Sequence, residues 1–440
     1  MRHPARLLLL LTFAAPPAFA AESPALPPLP RDWIDEKTGH RVIRLSPDEG
    51  GGTLYFHQHA FTPEGDKVVL RTRAGIVSID ITKLGTEPVK PELVLANAAP
   101  ITTAWRTREA YYTDRTAGAI MAVHLDTKAT RVVVKLPSQA RGAQFAVNCD
   151  ETLLVGIGPD PDGKTIPRTP PAGSGGGGSL EPQWAAGTPK MIYTVNIKTG
   201  EFKVLHREND WTNHLQVSPT DPQQMLFCHE GPWHWVDRTW TIRADGGPAR
   251  LLHERTMNME IEGHEFFSKD GKMVWYDLQT PKSGVFWLAG VDLATGKRTW
   301  YHHERAEWSV HYTVSYDGKF FAGDGGGPGS VASSRMDGTR VPGGNGMWMY
   351  LFRPVLARGK SFSDKRELID VGYFESERLV DMSNHNYSKD GGVEPNLHFT
   401  RDGKWLIFSG NFHSRLPNGR GITHAYAVEI AKAAQSRAGL

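Results

Sequence analysis

The chain has 440 residues and a formal net charge of +2, a balance that gives no electrostatic reason for a nucleic-acid partner. A 10% aromatic content with 46 Gly and 30 Pro suits an all-β protein with a large core rather than a helical bundle or a disordered chain. Only Cys149 and Cys228 are present, which excludes a disulfide framework and reads as two reduced structural thiols.

Residues 1–20 carry Arg2 and Arg6, then LLLLLTFAA, then Ala18-Phe19-Ala20, the three-part layout of a cleaved secretory signal. Its apolar run is too short to cross a bilayer, and no later segment is long enough. The mature chain is therefore expected to start at Ala21, to be periplasmic or secreted, and to act as a monomer without membrane insertion. Residues 21–37 read as an N-terminal extension and residues 38–440 as one domain.

That domain repeats. Turns of the SPDG kind recur as FTPEGDKVVL, VNCDETLLVG, VSPTDPQQMLFC, FSKDGKMVWY, VSYDGKFFAG and FTRDGKWLIF. Four residues before the opening Ser, Thr or Asn of each stand Gln58, Gln144, His214, His264, His311 and Asn396, and Thr103 fits a seventh, weaker copy. The regular spacings, roughly 41 to 50 residues, match the four-strand blade of a β-propeller. Two spacings are longer. One holds the Gly/Ser/Pro stretch from Pro159 to Lys190, expected to be a mobile surface insertion, and the other holds the polar region 325–383.

Period-two alternation in IYTVNIKTGEFKVLHR and WLAGVDLATGKRTWYHHE marks third and fourth strands. The last unit stops after three strands, whereas TGHRVIRLS, from Thr38 to Ser46, is a strand with no unit before it. An all-β, seven-bladed propeller follows, its ring closed by the N-terminal strand completing the C-terminal blade, which removes two free sheet edges.

Equivalent positions at the start of each inner strand should ring one mouth of the axial channel. His57, His59, His229, Trp233, Arg238, His385, Glu394 and His398 lie near them in sequence. Burying that many polar groups unpaired would cost about 1–3 kcal/mol each, which argues for a wet, ligand-accepting site. Arg238 offers a planar fork suited to a carboxylate. His264 could accept a proton near neutral pH. His311, Glu394 and Asn396 together offer one nitrogen and two oxygens to a divalent cation, or Glu394 simply pairs with an Arg.

At these residues the chain resembles a known family. NHLQVSP, FCHEGPW, VDRTWTI, GHEFFSKDG and SVHYTVSYDGKFFAGDG, in that order, with TLYFHQHAFTPEGDK, SNHNYSKDG and FTRDGKWLIFSGN at the two ends, are similar to the oligogalacturonide lyases of polysaccharide lyase family 22, seven-bladed propellers. The resemblance implies cleavage of 4-linked galacturonate disaccharides and short oligomers by β-elimination, with a divalent metal, manganese first and calcium second. It implies His264 as the base, Arg238 as the arginine of a DxRxW motif, and His311 as a metal ligand. His214, His229, Trp233, His385 and Gln58 become substrate contacts. The chain departs from the family where HPHPSFTPD becomes EPNLHFTRD, so Glu394 and Asn396 replace two metal-binding histidines; Trp233 likewise replaces a histidine. A related uronide as the true substrate is one reading of those changes.

A different class also fits the repeats: a non-catalytic, TolB-like periplasmic propeller that binds sugar or protein. The propeller of a serine peptidase does not fit, because the chain has no G-x-S-x-G elbow and no room for a hydrolase domain.

Overall fold

The computed structural model describes residues 30–140, 144–173, 176–335, 339–340, 346–357, 368–387, 392–412 and 421–433. The leader expected at 1–20 lies outside them. The recurring turns share one hydroxyl device. Ser268 Oγ accepts the Met273 N–H at 2.9 Å and donates to Asp270 at 2.6 Å. Ser315 repeats this with Phe320 at 3.0 Å and Asp317 at 2.7 Å, and Thr400 with Trp405 at 3.1 Å and Asp402 at 2.7 Å. Three residues after each hydroxyl, Gly271, Gly318 and Gly403 take φ of 71°, 70° and 68°, the left-handed conformation that glycine adopts without a Cβ penalty.

From these turns the chain runs in antiparallel meanders, and six hydrogen-bonded sheets form among the described residues. The first contains Lys67–Arg71, Gly75–Asp80 and Glu92–Ala96. Its inner strand shrinks to one bridge, Phe61 to Val68, beside Pro63, which cannot donate to a ladder. Three four-stranded sheets follow, beginning at Pro100–Thr103, Gln144–Val147 and Trp211–Val217. An eight-stranded sheet then joins the meander that starts at Ile261–Phe267 to the one that starts at Tyr312–Val314. The join is a parallel pairing of their outer strands, Thr299 to His302 against Asp370 to Tyr373. The whole is an all-β, propeller-like arrangement of sheets.

The closing sheet takes strands from both ends of the chain. His40–Arg44 lies between Asp32–Ile34 and His424–Lys432, with Val42 opposite Val428 and Arg44 opposite Tyr426. The outermost strand, Asp32–Ile34, falls in the segment read from sequence as an extension; three residues are too few to show alternation. Apolar contacts between neighbouring sheets supply the core. Val68, Leu70, Val77 and Ile79 pack on Trp405, Ile407, Ala425 and Ala427, and burying each Val, Leu or Ile side chain contributes about 1.5–3 kcal/mol.

The Pro159–Lys190 segment, expected to be a mobile surface insertion, is largely exposed but makes defined contacts. Ile166 N–H donates to Gly187 O and Arg168 N–H to Ala185 O, both at 2.9 Å. The short helix Glu181–Ala185 buries Trp184 against Trp235, with ring centroids 5.0 Å apart. Its Gly and Pro content hid the one aromatic anchor. Cys149 and Cys228 are both free and buried, in agreement with two reduced thiols. No helix among the described residues is long and apolar enough to cross a membrane.

If ring closure carries stability, Val42→Ala, at a fully buried position of the closing strand, should lower the unfolding free energy by about 1–3 kcal/mol. An unchanged urea midpoint would mean that this strand is not docked in solution.

Candidate active site

Two inner strands carry bulges where the site begins. The register of Trp211–Val217 slips between Asn213 and Gln216, and that of Ile261–Phe267 between Glu262 and Glu265. The extra residues re-aim His214 and His264, as bulges do beside functional sites. His214 reaches φ 50° and Asn396 φ 52°, backbone strain that non-glycine residues hold only where packing imposes it. Next to His264, a Cβ on Gly263 would meet Asp277 Oδ2 at 2.6 Å, so only glycine lets the strand approach that side chain. Burial pushes the Asp277 carboxyl up to about 7.

The histidines pack ring against ring. His264 lies 5.1 Å from His214, near-parallel, and 4.5 Å from His311, edge-on. Tyr55 links the outer two, its hydroxyl 3.2 Å from His311 Nε2 and 3.4 Å from His214 Nε2. Burial, reinforced by His311 and His214, holds His264 well below the usual imidazole range. It therefore carries a free lone pair at neutral pH, the state a general base requires.

Behind this group sits a buried ion cluster. Arg238 donates through Nε to Glu265 at 3.0 Å and through NH1 to Glu230 at 2.9 Å, while NH2 lies 3.2 Å from His214 Nδ1. Burial alone would raise the Glu230 carboxyl, but the Arg238 charge wins and lowers it. Arg238 has no exposed surface, so its fork, expected to grip a substrate carboxylate, is instead filled by two carboxylates of the protein. In front lies a cavity of about 1080 Å3 whose wall includes Tyr55, His57, Gln58, His214, Asn396 and the cations Arg71 and Arg115.

A family model described as oligogalacturonate lyase matches residues 29–415. The chain belongs to the oligogalacturonate lyase family. Curated relatives include an oligogalacturonate lyase of Dickeya dadantii, 25% identical over 86% of this chain and 92% of its own length. An oligogalacturonide lyase of Pectobacterium atrosepticum is 24% identical with the same coverage. Among solved structures, an oligogalacturonate lyase in complex with manganese superposes with a TM-score of 0.67 at 21% identity, covering 91% of this chain and 96% of that one. The oligogalacturonate lyase of Vibrio parahaemolyticus gives 0.67 at 20%, with the same coverage. By this kinship the chain is a carbon–oxygen lyase.

In this family member the ring expected from the repeats assembles only in part. Gln58, Gln144, His214 and Asn396 share the cavity, whereas Thr103 is buried, its hydroxyl 2.7 Å from His59 Nδ1. Gln58 accepts the Tyr55 N–H at 3.1 Å, and Trp233 donates to Glu230 at 3.3 Å. His385 is turned inward, with Nε2 2.7 Å from Val393 O and Nδ1 accepting the Asn411 N–H. It braces the backbone leading to Glu394. His229 points away from the group altogether, toward Glu208 at 3.0 Å.

A divalent cation was expected at His311, Glu394 and Asn396. Asp324 takes the His311 Nδ1 edge at 2.7 Å and accepts the His311 N–H at 2.9 Å, the outer-shell arrangement that orients metal-binding histidines. His311 Nε2 thereby faces the Tyr55 hydroxyl at 3.2 Å and Glu394 Oε2 at 3.8 Å, the latter on a side chain 55% exposed and free to adjust. This pair fits a cation. The Asn396 amide is otherwise engaged, its oxygen accepting the Phe56 N–H at 3.1 Å and its nitrogen donating to Glu394 O at 2.9 Å.

Sequence reasoning missed Tyr55, Asp324, Glu230 and Glu265. The last two were visible as the Glu of CHEG and of GHEF, but nothing in the sequence told which Arg they meet. Removing that Arg leaves two carboxylates buried without their counter-charge, a situation that costs about 3–5 kcal/mol. Arg238→Met should accordingly shift the urea midpoint sharply downward, and near wild-type stability would show that the cluster is not buried as described.

Proposed function

We propose that this protein is an exported, monomeric, seven-bladed oligouronide lyase that cleaves 4-linked uronate oligosaccharides by β-elimination and releases an unsaturated uronate. The observation that carries this reading is His264 packed between His214 and His311, with His214 on the wall of a cavity that also carries Arg71 and Arg115. Arg71 spends one N–H on Pro100 O at 3.1 Å, and no carboxylate of the described residues pairs with it. With Arg238 withdrawn behind Glu230 and Glu265, Arg71 and Arg115 are the groups that meet substrate carboxylates, whose planar oxygens match a guanidinium fork.

In the reaction His264 takes the C5 proton. The C5–H electron pair becomes the C4=C5 double bond as the C4–O bond breaks; the departing sugar oxygen takes a proton from water, and the hydroxide so formed is neutralised by the proton that His264 took. The proton is weakly acidic because its removal adds charge beside a carboxylate, so the site must supply positive potential at that carboxylate. His311 and Glu394 would hold a divalent cation, manganese or calcium, which when bound supplies part of that potential. The arginines of the wall supply more, and each 1.4 kcal/mol so gained is about tenfold in rate. His214, fixed by Glu265 at 3.2 Å, stacks on His264 and keeps the ring from swinging.

The test is growth of ultraviolet absorbance from the unsaturated product on a panel of oligogalacturonides and other oligouronides, with manganese, calcium or chelator. His264→Ala should lower kcat at least ~100-fold while the thermal melt stays close to wild type; retained turnover would remove His264 from the mechanism. Because the imidazole is held well below 6.5, kcat/KM should stay level as pH falls from 8 to 6.5 and decline only below that. Signal unaffected by chelator would keep the lyase and discard the cation, and a flat trace on every substrate would discard the lyase. Export rests on the leader-like residues 1–20: the N-terminal sequence of chain recovered from a periplasmic fraction should begin at Ala21, and a retained Met1 would count against it.

A further inference from the structure

The strand Gln224–Glu230 presents chemistry on both faces. Glu230 belongs to the Arg238 cluster, and strand alternation turns His229 the other way, into a separate cavity of about 500 Å3 shared with Arg168, His206, Glu208, Asp210 and Trp240. There Glu208 Oε2 lies 2.9 Å from His206 Nε2 and 3.0 Å from His229 Nε2. The other Glu208 oxygen accepts from the Thr212 hydroxyl. His229 Nδ1 is 3.8 Å from Asp210 Oδ1, and Arg168 binds Asp210 at 2.6 Å. The lyase reaction uses none of these side chains.

We propose that this cluster is a second metal site, for a transition cation of the zinc class, held by His206 Nε2, His229 Nε2 and Glu208 Oε2. Glu208, Asp210 and His229 each offer a ligand atom within 4.8 Å of the others, and His206 adds a second imidazole. Tetrahedral zinc with bonds of about 2.0–2.1 Å has ligand–ligand edges of about 3.3 Å, so the two Glu208 contacts need to open by only a few tenths of an ångström, while His206, which stands outside the group of mutually close ligand atoms, must swing about Glu208 toward His229. Mixed imidazole and carboxylate donors suit zinc and its neighbours better than calcium or magnesium. Thr212 supplies the outer-shell hydrogen bond that orients a ligating carboxylate. Asp237 on the same wall is paired with Arg255, so Glu208 and Asp210 against Arg168 leave the cavity a net negative formal charge from its carboxylates and guanidinium, which attracts a divalent cation.

The ligands come from neighbouring sheets. His206 and Glu208 stand on Phe202–Glu208, the outer strand of one sheet, and His229 on the second strand of the next. The bound metal is therefore a clamp between sheets, and its signature is stability rather than turnover. The proposal does not depend on the lyase reading.

The test uses the full chain stripped with chelator and titrated with zinc alone, in a His311→Ala background that removes the nitrogen at the lyase cavity. Calorimetry should find one zinc per chain, with Tm rising by several degrees as zinc is added. Adding His206→Ala, a side chain 30% exposed and so tolerant of truncation, or Glu208→Gln should weaken uptake by more than the about 10–100-fold that outer-shell losses give, and should abolish the Tm rise. Zinc-edge absorption should fit two imidazole nitrogens. Two results would overturn the proposal: no zinc uptake by the His311→Ala chain, or wild-type uptake by a folded His206→Ala or Glu208→Gln variant.

Discussion

A hydroxyl clamped between a backbone N–H five residues ahead and an Asp two residues ahead is the constraint from which the rest of this molecule is built. Ser268, Ser315 and Thr400 make it in full. It fixes where one strand ends and the next begins, and therefore which residue, four positions earlier, starts the inner strand. Local turn chemistry so becomes global geometry: His264, His311 and Asn396 arrive at comparable places on different meanders. The bulges at His214 and His264 refine the aim, because one unpaired residue per strand redirects a side chain without moving the sheet.

The site separates charge from chemistry. Its ion cluster, Arg238 with Glu230 and Glu265, is buried, and stripping the carboxylates of their cation would cost about 3–5 kcal/mol, a large share of the about 5–15 kcal/mol that holds a native fold. What it provides to the front of the site is position: Glu265 Oε1 and Arg238 NH2 each lie 3.2 Å from His214 Nδ1, so either tautomer of that ring finds a partner on this edge. His264, by contrast, makes ring contacts with its neighbours and is desolvated by them, so it stays neutral. Charge on the cavity wall is left to Arg71 and Arg115, with the exposed Glu394 beside His311.

One strand connects the two clusters of the molecule. Gln224–Glu230 sends Glu230 to the lyase side and His229 to the Glu208 side, so a shift of one register step would scramble both. The Pro159–Lys190 segment reaches the second cluster through Arg168 and packs Trp184 beside Trp235. A segment that composition reads as an ornament is thus tied to the strand that serves the site.

The repeat offset, the ring-closing strand and the equivalent inner-strand places of His214, His264 and His311 were legible in the sequence, because turn chemistry and strand alternation are local and leave a periodic trace. The direction of each side chain was not. His229 and Glu230 are adjacent in sequence yet face opposite cavities, and His385 and Arg238, polar residues beside the site in sequence, are turned into the protein's own backbone and carboxylates. Asp32–Ile34 is too short to announce itself as a strand. The sequence by itself determined an all-β repeat with histidines at equivalent places. Only the tertiary structure decided which partner each polar group meets, since pairings such as Arg238 with Glu265 or Tyr55 with His311 join residues far apart in the chain and depend on how the sheets pack, a property no single segment carries.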